Sequence, residues 1–335
     1  MYRTIAFFII CCACLLIALA SDPGRTAADQ DETGSLVEHV KTIAAQQPKE
    51  GSEGFSVPTL EQQNAFRKMI TAVLDGQIDK ANAIARRESF NYRVVPFKDE
   101  KTQRQLLLIE ENPLKHGWGF FVIDPGSRSP LVIEVPHPVS DENTEIQGAE
   151  AFLLTGARAF ILAGTHRRAN GKLSKCTQAT EQSRYAESDV AHNTQTMFHQ
   201  AHEVLFGEVP DSVVVQLHGM REREVCPDVF LSGGFKSVST NSSKLLKCLK
   251  TQNIDSVLFG ETESSCPLIA STNVQGRFSN GMGARACTEY AVELPQPGRF
   301  IHVEQEPEIR ANSAAWRPVI EALKCAFPAN PPGGN

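Results

Sequence analysis

The chain opens with an unbroken apolar run from Ile5 to Ala20, preceded by a single positive charge at Arg3. The run is short for a membrane span and ends in Ala18-Leu19-Ala20, the small-x-small pattern cut by signal peptidase. Residues 1–20 therefore read as a cleaved export signal, a retained anchor being the alternative. Residues 21–57 are polar with little periodicity and read as a linker, with a short helix near 36–46. Over 59–88 apolar positions recur three and four apart, at Phe66, Ile70 and Val73 and then Ile78, Ala81 and Ile84. Gly76 divides this stretch into a helical hairpin. From 92 to 136 the texture changes to short strands, YRVVPF, QLLLIEE, GWGFFVID and LVIEVP, separated by charged or Pro/Gly turns.

Beyond residue 137, helices and apolar strands alternate. Helix 144–156 precedes strand 158–164, helix 194–206 precedes strand 212–219, and helix 241–252 precedes strand 255–260. A late strand, TEYAVELP at 288–295, and a helix near 313–326 complete the series. Strands that are apolar throughout, separated by amphipathic helices, predict an α/β fold with a mixed, mainly parallel sheet and helices on both faces. The expected organisation is a helical hairpin and short strands over 58–128, an α/β domain over 129–327 and a flexible tail over 328–335.

Charge and cysteine usage narrow the function classes. The net charge of −6 and the absence of any basic block give nucleic-acid binding no electrostatic support. No other stretch reaches membrane-spanning length, so no span is expected after signal cleavage. Cys11, Cys12 and Cys14 fall within the signal, leaving Cys176, Cys226, Cys248, Cys266, Cys287 and Cys325. An even set in an exported chain points to disulfides, with the pairing open. These six include no Cys-x-x-Cys pair, and the chain has neither a Gly-x-Ser-x-Gly elbow nor a phosphate-cradling glycine loop.

In open α/β sheets, ligands lie beyond the carboxyl ends of the strands. Strand 131–136 runs into His137, followed by the acidic residues Asp141, Glu142 and Glu145, and strand 212–217 ends at His218-Gly219. Two histidines and a carboxylate make the three-ligand set of a catalytic zinc, whose fourth position is left for water. In the late strand, period-two alternation puts Glu289, Ala291 and Glu293 on one face. A carboxylate within an apolar strand is costly to bury unless paired or functional, and zinc hydrolases need one to shuttle a proton. Glu293 is the candidate general base.

This order of His and acid, strand-end His and the late YAVELPQPGRF segment resembles the zinc carboxypeptidases over roughly residues 130–305. The resemblance implies a zinc cofactor held by His137, His218 and a carboxylate, with Glu293 catalytic. The position three residues after His137, acidic in that family, is Ser140. The longer gap here looks more like the phage-type poly-γ-glutamate hydrolases, a pattern that makes Glu142 the carboxylate ligand, with Asp141 its rival. Ser188-Asp189-Val190-Ala191-His192-Asn193 falls where the family grips the substrate's carboxylate, which implies substrate roles for His192 and Asn193. It lacks the family's arginine, and Arg167 or Arg168 is the candidate for the missing charge, with His166 a spare imidazole. The expected protein is thus a periplasmic or secreted zinc-dependent hydrolase of peptide, γ-glutamyl or acyl-amino-acid amide bonds, acting on a small-molecule or peptide substrate. The alternative is a catalytically silent binding protein on the same fold, holding an anionic ligand.

Overall fold

The structure is a computed structural model that describes residues 32–87, 90–176, 184–209, 211–293 and 295–329. The segment read as an export signal lies outside these residues. Ten strands make one sheet: β1 (Glu32–Gly34), β2 (Tyr92–Asp99), β3 (Gln105–Glu111), β4 (Phe120–Ile123), β5 (Leu131–Val135), β6 (Ala159–Leu162), β7 (Val213–Gly219), β8 (Val229–Ser232), β9 (Ser256–Leu258) and β10 (Phe300–Gln305). Their order is β1-β2-β3-β4-β6-β5-β7-β10-β8-β9. The central run β6-β5-β7-β10 is parallel, as are β1-β2 and β8-β9. The β2-β3-β4 meander joins β6 antiparallel, and β8 runs antiparallel to β10. The α/β fold is therefore mixed and mainly parallel.

Period-two alternation sorts the central strands between two cores. Leu131, Ile133 and Val135 of β5, Val213, Val215 and Leu217 of β7, and Ile301 and Val303 of β10 share one core with four helices. These are α1 (Leu36–Gln46), α4 (Thr144–Thr155), α6 (Thr240–Thr251) and α8 (Ser313–Ala326). On α8 the apolar residues Trp316, Val319, Ile320 and Leu323 keep helical spacing and are all buried, each such burial contributing about 1.5–3 kcal/mol. The other face packs on α2 (Leu60–Leu74), α3 (Ile78–Ala85) and α5 (Met197–Glu208) through Phe66, Ile70, Ile84, Phe198 and Leu205. A short helix, α7 (Val274–Arg277), also lies against β10 on that face through Gly276 and Phe300. Thr59 and Gln62 form a reciprocal capping box that fixes the start of α2, and Asn312 caps α8.

Three expectations need correction. Residues 32–57, read as linker with a short helix near 36–46, do carry that helix as α1. It packs into the core through the fully buried Leu36 and Val40, and β1 adds to the sheet edge, so the segment is part of the fold. The boundary expected at 128/129 does not divide the sheet, because β4 pairs directly with β6. The late strand expected at 288–295 does not form. Residues 288–293 run as an irregular segment with Val292 77% exposed, directly after the Cys176–Cys287 disulfide. Pro295 and Pro297 cannot donate ladder hydrogen bonds, and the sheet position is filled by β10 farther along the chain. The four-residue strand β8 had no expected counterpart either.

Six cysteines pair as Cys176–Cys287, Cys226–Cys266 and Cys248–Cys325. Among the described residues no helix is long and apolar enough to cross a membrane.

Candidate metal centre

Near their carboxyl ends, β5, β7 and β10 change character on the α5-facing side. Val132, Val214 and Phe300 are apolar, but the next positions on that face are Glu134, Gln216 and His218, and His302 and Glu304. Register brings these together across strands: Glu134 pairs with Gln216, His302 with Gln216 and Glu304 with His218. All five are buried. A patch of polar side chains inside a sheet persists only if it is internally satisfied or functional.

His137 follows β5, and a tight loop returns Asp141 beneath it. The Asp141 N–H donates to the His137 carbonyl at 2.9 Å, and Val139 and Asn143 adopt positive φ of 67° and 68° to close the turn. Asp141 Oδ2 lies 3.3 Å from His137 Nδ1 and 3.6 Å from His218 Nδ1, and accepts the Gly219 N–H at 3.0 Å. Each imidazole is held by its far nitrogen. His137 Nε2 is 2.9 Å from Asp189 Oδ1, a carboxylate that accepts its N–H, and His218 Nε2 is 2.8 Å from Gln216 Oε1. Two Nδ1 atoms and a carboxylate oxygen thus converge, all within 4.8 Å of one another. Ligands on a tetrahedral zinc at ~2.0–2.1 Å would sit about 3.3–3.4 Å apart; the His137–Asp141 separation of 3.3 Å falls there and the His218–Asp141 separation of 3.6 Å lies slightly beyond it. The donor set fits zinc.

Arg310 fixes the loops under this cluster. Its guanidinium donates to the carbonyls of Glu142 at 2.6 Å, Met220 at 3.2 Å and Gln305 at 3.3 Å, so one side chain ties the ends of three strand-to-loop transitions. Gly219 is required for the approach, because a Cβ there would meet Arg310 Nε at 2.5 Å.

The electrostatics separate the acids. Burial opposes ionisation of Asp141, yet His137 and His218 outweigh it and hold the carboxyl well below the usual range. For Asp189, burial is likewise outweighed by Arg167 and His137, leaving it ionised. Glu304 goes the other way. Burial, reinforced by Asp141, pushes its carboxyl up to about 8. Burial lowers His218 to about 4 and His192 to about 3, and takes His302 well below the ordinary imidazole value, whereas Asp189 and Asp141 raise His137 against burial and Arg167.

These shifts have a sign in stability. A histidine kept neutral by folding stabilises fully above its unfolded value near 6.5, and that stability is lost as pH falls toward the folded value. His218 alone should cost about 2 kcal/mol between pH 7 and pH 5 at ~1.4 kcal/mol per unit, with His302 and His192 adding, but His137 and above all Glu304 oppose it, because a carboxyl raised to about 8 gains about 2 kcal/mol of stability over the same fall in pH. Zinc-free Glu304→Gln protein, which lacks that offset, is expected to melt several degrees lower at pH 5 than at pH 7. A flat melting profile over that range would show these imidazoles to be solvated.

The expected site residues divide clearly. His137, Asp141 and His218 come together. Glu142 is exposed and borders a separate cleft of about 530 Å³ with Lys41 and Lys49. Glu293 is exposed in the irregular segment and does not line the cluster's pocket. Arg167 does line it, donating to Asp189 Oδ2 at 2.8 and 3.1 Å and to His137 Nδ1 at 3.2 Å. Arg168 is an exposed partner of Glu50, and His166 accepts the Arg168 N–H. His192 lines the pocket, stacked 3.5 Å from Tyr185, but Asn193 is spent on the backbone at Glu187 and Gln195. Glu304, His302 and Asp189 were not singled out from the sequence. The signal for His302 and Glu304 was the alternation in FIHVEQ, where polar residues at every second position interrupt a buried strand; Asp189, in the turn before His192, had no such signal.

The pocket holds about 210 Å³ and is walled by Pro267, Leu268 and Thr272, with His137, His218, His302 and Glu304 at its floor.

No family model and no curated protein matches the sequence. Similar solved structures include a bacteriophage poly-γ-glutamate hydrolase, 14% identical with a TM-score of 0.33 over 60% of this chain and 84% of the other. N-formylglutamate amidohydrolase from Ralstonia eutropha is 12% identical, with a TM-score of 0.35 over 63% and 97%. A metallo-carboxypeptidase from Burkholderia cenocepacia is 13% identical, with a TM-score of 0.33 over 76% and 67%.

Proposed function

We propose that this protein is a zinc-dependent hydrolase of amide bonds, of the peptide, γ-glutamyl or acyl-amino-acid kind. The observation that carries this reading is the convergence of His137 Nδ1, His218 Nδ1 and Asp141 Oδ2 at tetrahedral spacing, beside a buried acid. Bound zinc lowers the pKa of its water and polarises a carbonyl. Asp189 and Gln216 hold the two imidazoles with Nδ1 directed at Asp141. Glu304, next to His218 in register and held near neutral pKa, accepts a proton from water and returns it to the leaving nitrogen. This moves the general-base role from Glu293 to Glu304.

Arg167 supplies the cation. Asp189 grips its Nε and Nη2, leaving Nη1 aimed at His137 Nδ1. Once that lone pair is engaged by an ion, Nη1 is free to donate to an oxygen developing negative charge. The small pocket favours a short acyl or terminal residue at the scissile bond. Export to an oxidising compartment accords with three disulfides. Purified protein should bind one equivalent of zinc and hydrolyse at least one member of an amide panel spanning peptides, γ-glutamyl peptides and N-acyl amino acids. Absence of bound metal under saturating zinc at neutral pH would overturn the reading. Zinc without turnover would favour the silent binding protein.

A further inference from the structure

Glu134 lies three residues before His137, fully buried in the middle of the sheet. An apolar residue there would pack as its neighbours do, and a buried carboxylate is destabilising unless its partners compensate. Its partners are specific. Oε1 is 2.8 Å from His202 Nδ1 of α5, whose Nε2 is 3.0 Å from Ser279 Oγ, and Oε2 is 2.9 Å from Gln216 Nε2.

With Oε1 engaged by His202, Glu134 Oε2 accepts from the Gln216 amide, which therefore turns its NH2 toward Glu134. Its oxygen then faces His218 Nε2 at 2.8 Å and accepts from Asn273 Nδ2 at 2.5 Å. Asn273 is fixed in turn, because its own oxygen accepts the Gly276 N–H at 2.9 Å. Reversing Gln216 would set oxygen against carboxylate and NH2 against NH2. Acceptors face both nitrogens, but the Gln216 oxygen stands at 2.8 Å from Nε2 and Asp141 Oδ2 at 3.6 Å from Nδ1, so the geometry puts the His218 proton on Nε2 and leaves Nδ1 bare toward Asp141.

We propose that Glu134, acting through Gln216, locks His218 in the Nε2–H tautomer and is thereby a positioning residue for metal binding. The inference rests on the metal reading above for its consequence, but the tautomer can be tested without metal. Long-range 15N spectroscopy of the zinc-free protein, with His218 assigned by loss of its signals in His218→Gln, should show a single Nε2–H form. Glu134→Gln removes the polarity that orients Gln216, and should give mixed His218 tautomers and a 10- to 100-fold loss of zinc affinity by chelator competition. Gln216→Met should lose zinc affinity comparably, and the double variant should lose no more than Gln216→Met alone. Losses that add would show that Glu134 acts elsewhere, as a purely structural role would. An Nδ1–H form in the wild type, or unchanged tautomer and affinity in Glu134→Gln, would overturn the proposal. Should Glu134→Gln fail to fold, the wild-type tautomer and Gln216→Met still decide it. Wild-type protein that shows the Nε2–H form but binds no zinc would instead refute the metal reading alone.

Discussion

Glu304→Gln should abolish amide hydrolysis while zinc stays bound. The substitution keeps the shape of the side chain and removes its capacity to take a proton, and loss of a general base typically costs about 10²–10⁴-fold in rate. Glu304 is buried, lies beside His218 in the β7–β10 register and is raised by burial to about 8, so it can exchange a proton near neutrality. It also belongs to a second possible donor group with His218 and His302, which makes the zinc measurement necessary. Loss of zinc with activity would recast Glu304 as a ligand. Activity within a few fold of wild type would remove it from the mechanism. In the parallel experiment Glu293→Gln should leave both activity and zinc content unchanged, because that side chain is exposed outside the strands.

Asp141→Asn should reduce zinc affinity by more than about 100-fold, since ligand loss exceeds the 10–100-fold cost of losing an outer partner. Glu142→Gln should leave it unchanged. The two residues are adjacent in sequence, but the turn at Val139 and Asn143 brings the first under His137 and leaves the second exposed. Thermal melting gives an independent readout. Zinc at ~100 times its dissociation constant adds about 2.7 kcal/mol to wild-type stability, and the matching upshift in melting temperature should vanish in Asp141→Asn. An upshift retained in Asp141→Asn but lost in Glu142→Gln would reverse the assignment.

Much of the architecture is legible in the sequence because its strands are buried on both faces and its helices are amphipathic. The hairpin broken at Gly76, the strands from Tyr92 to Val135 and the closing helix at Ser313–Ala326 follow from apolar spacing alone. His137 and His218 stand out because each follows an apolar run at the end where ligands collect. The carboxylate between Asp141 and Glu142 was not decidable, since backbone curvature in a loop selects it and no periodicity records curvature. Glu304 was hidden for a different reason. TEYAVELP has the stronger strand texture, and FIHVEQ, with His302 and Glu304 alternating among apolar residues, reveals a functional face only once its neighbours β7 and β8 are known to enclose it. Tertiary context, not local propensity, makes that segment a strand.

The disulfides divide the molecule by tolerance to change. The pocket's floor is carried on strand ends, while its wall at Pro267 and Leu268 begins just after Cys266, which is stapled to Cys226. The Tyr185–His192 wall lies downstream of Cys176, stapled to Cys287. Apart from Asp189, which holds His137 and Arg167, loop sequence between such fixed posts can vary without shifting the donors beneath it. Substrate preference could therefore drift among related chains while the chemistry stays constant, so that two proteins with the same floor would differ chiefly in the short segments between their staples.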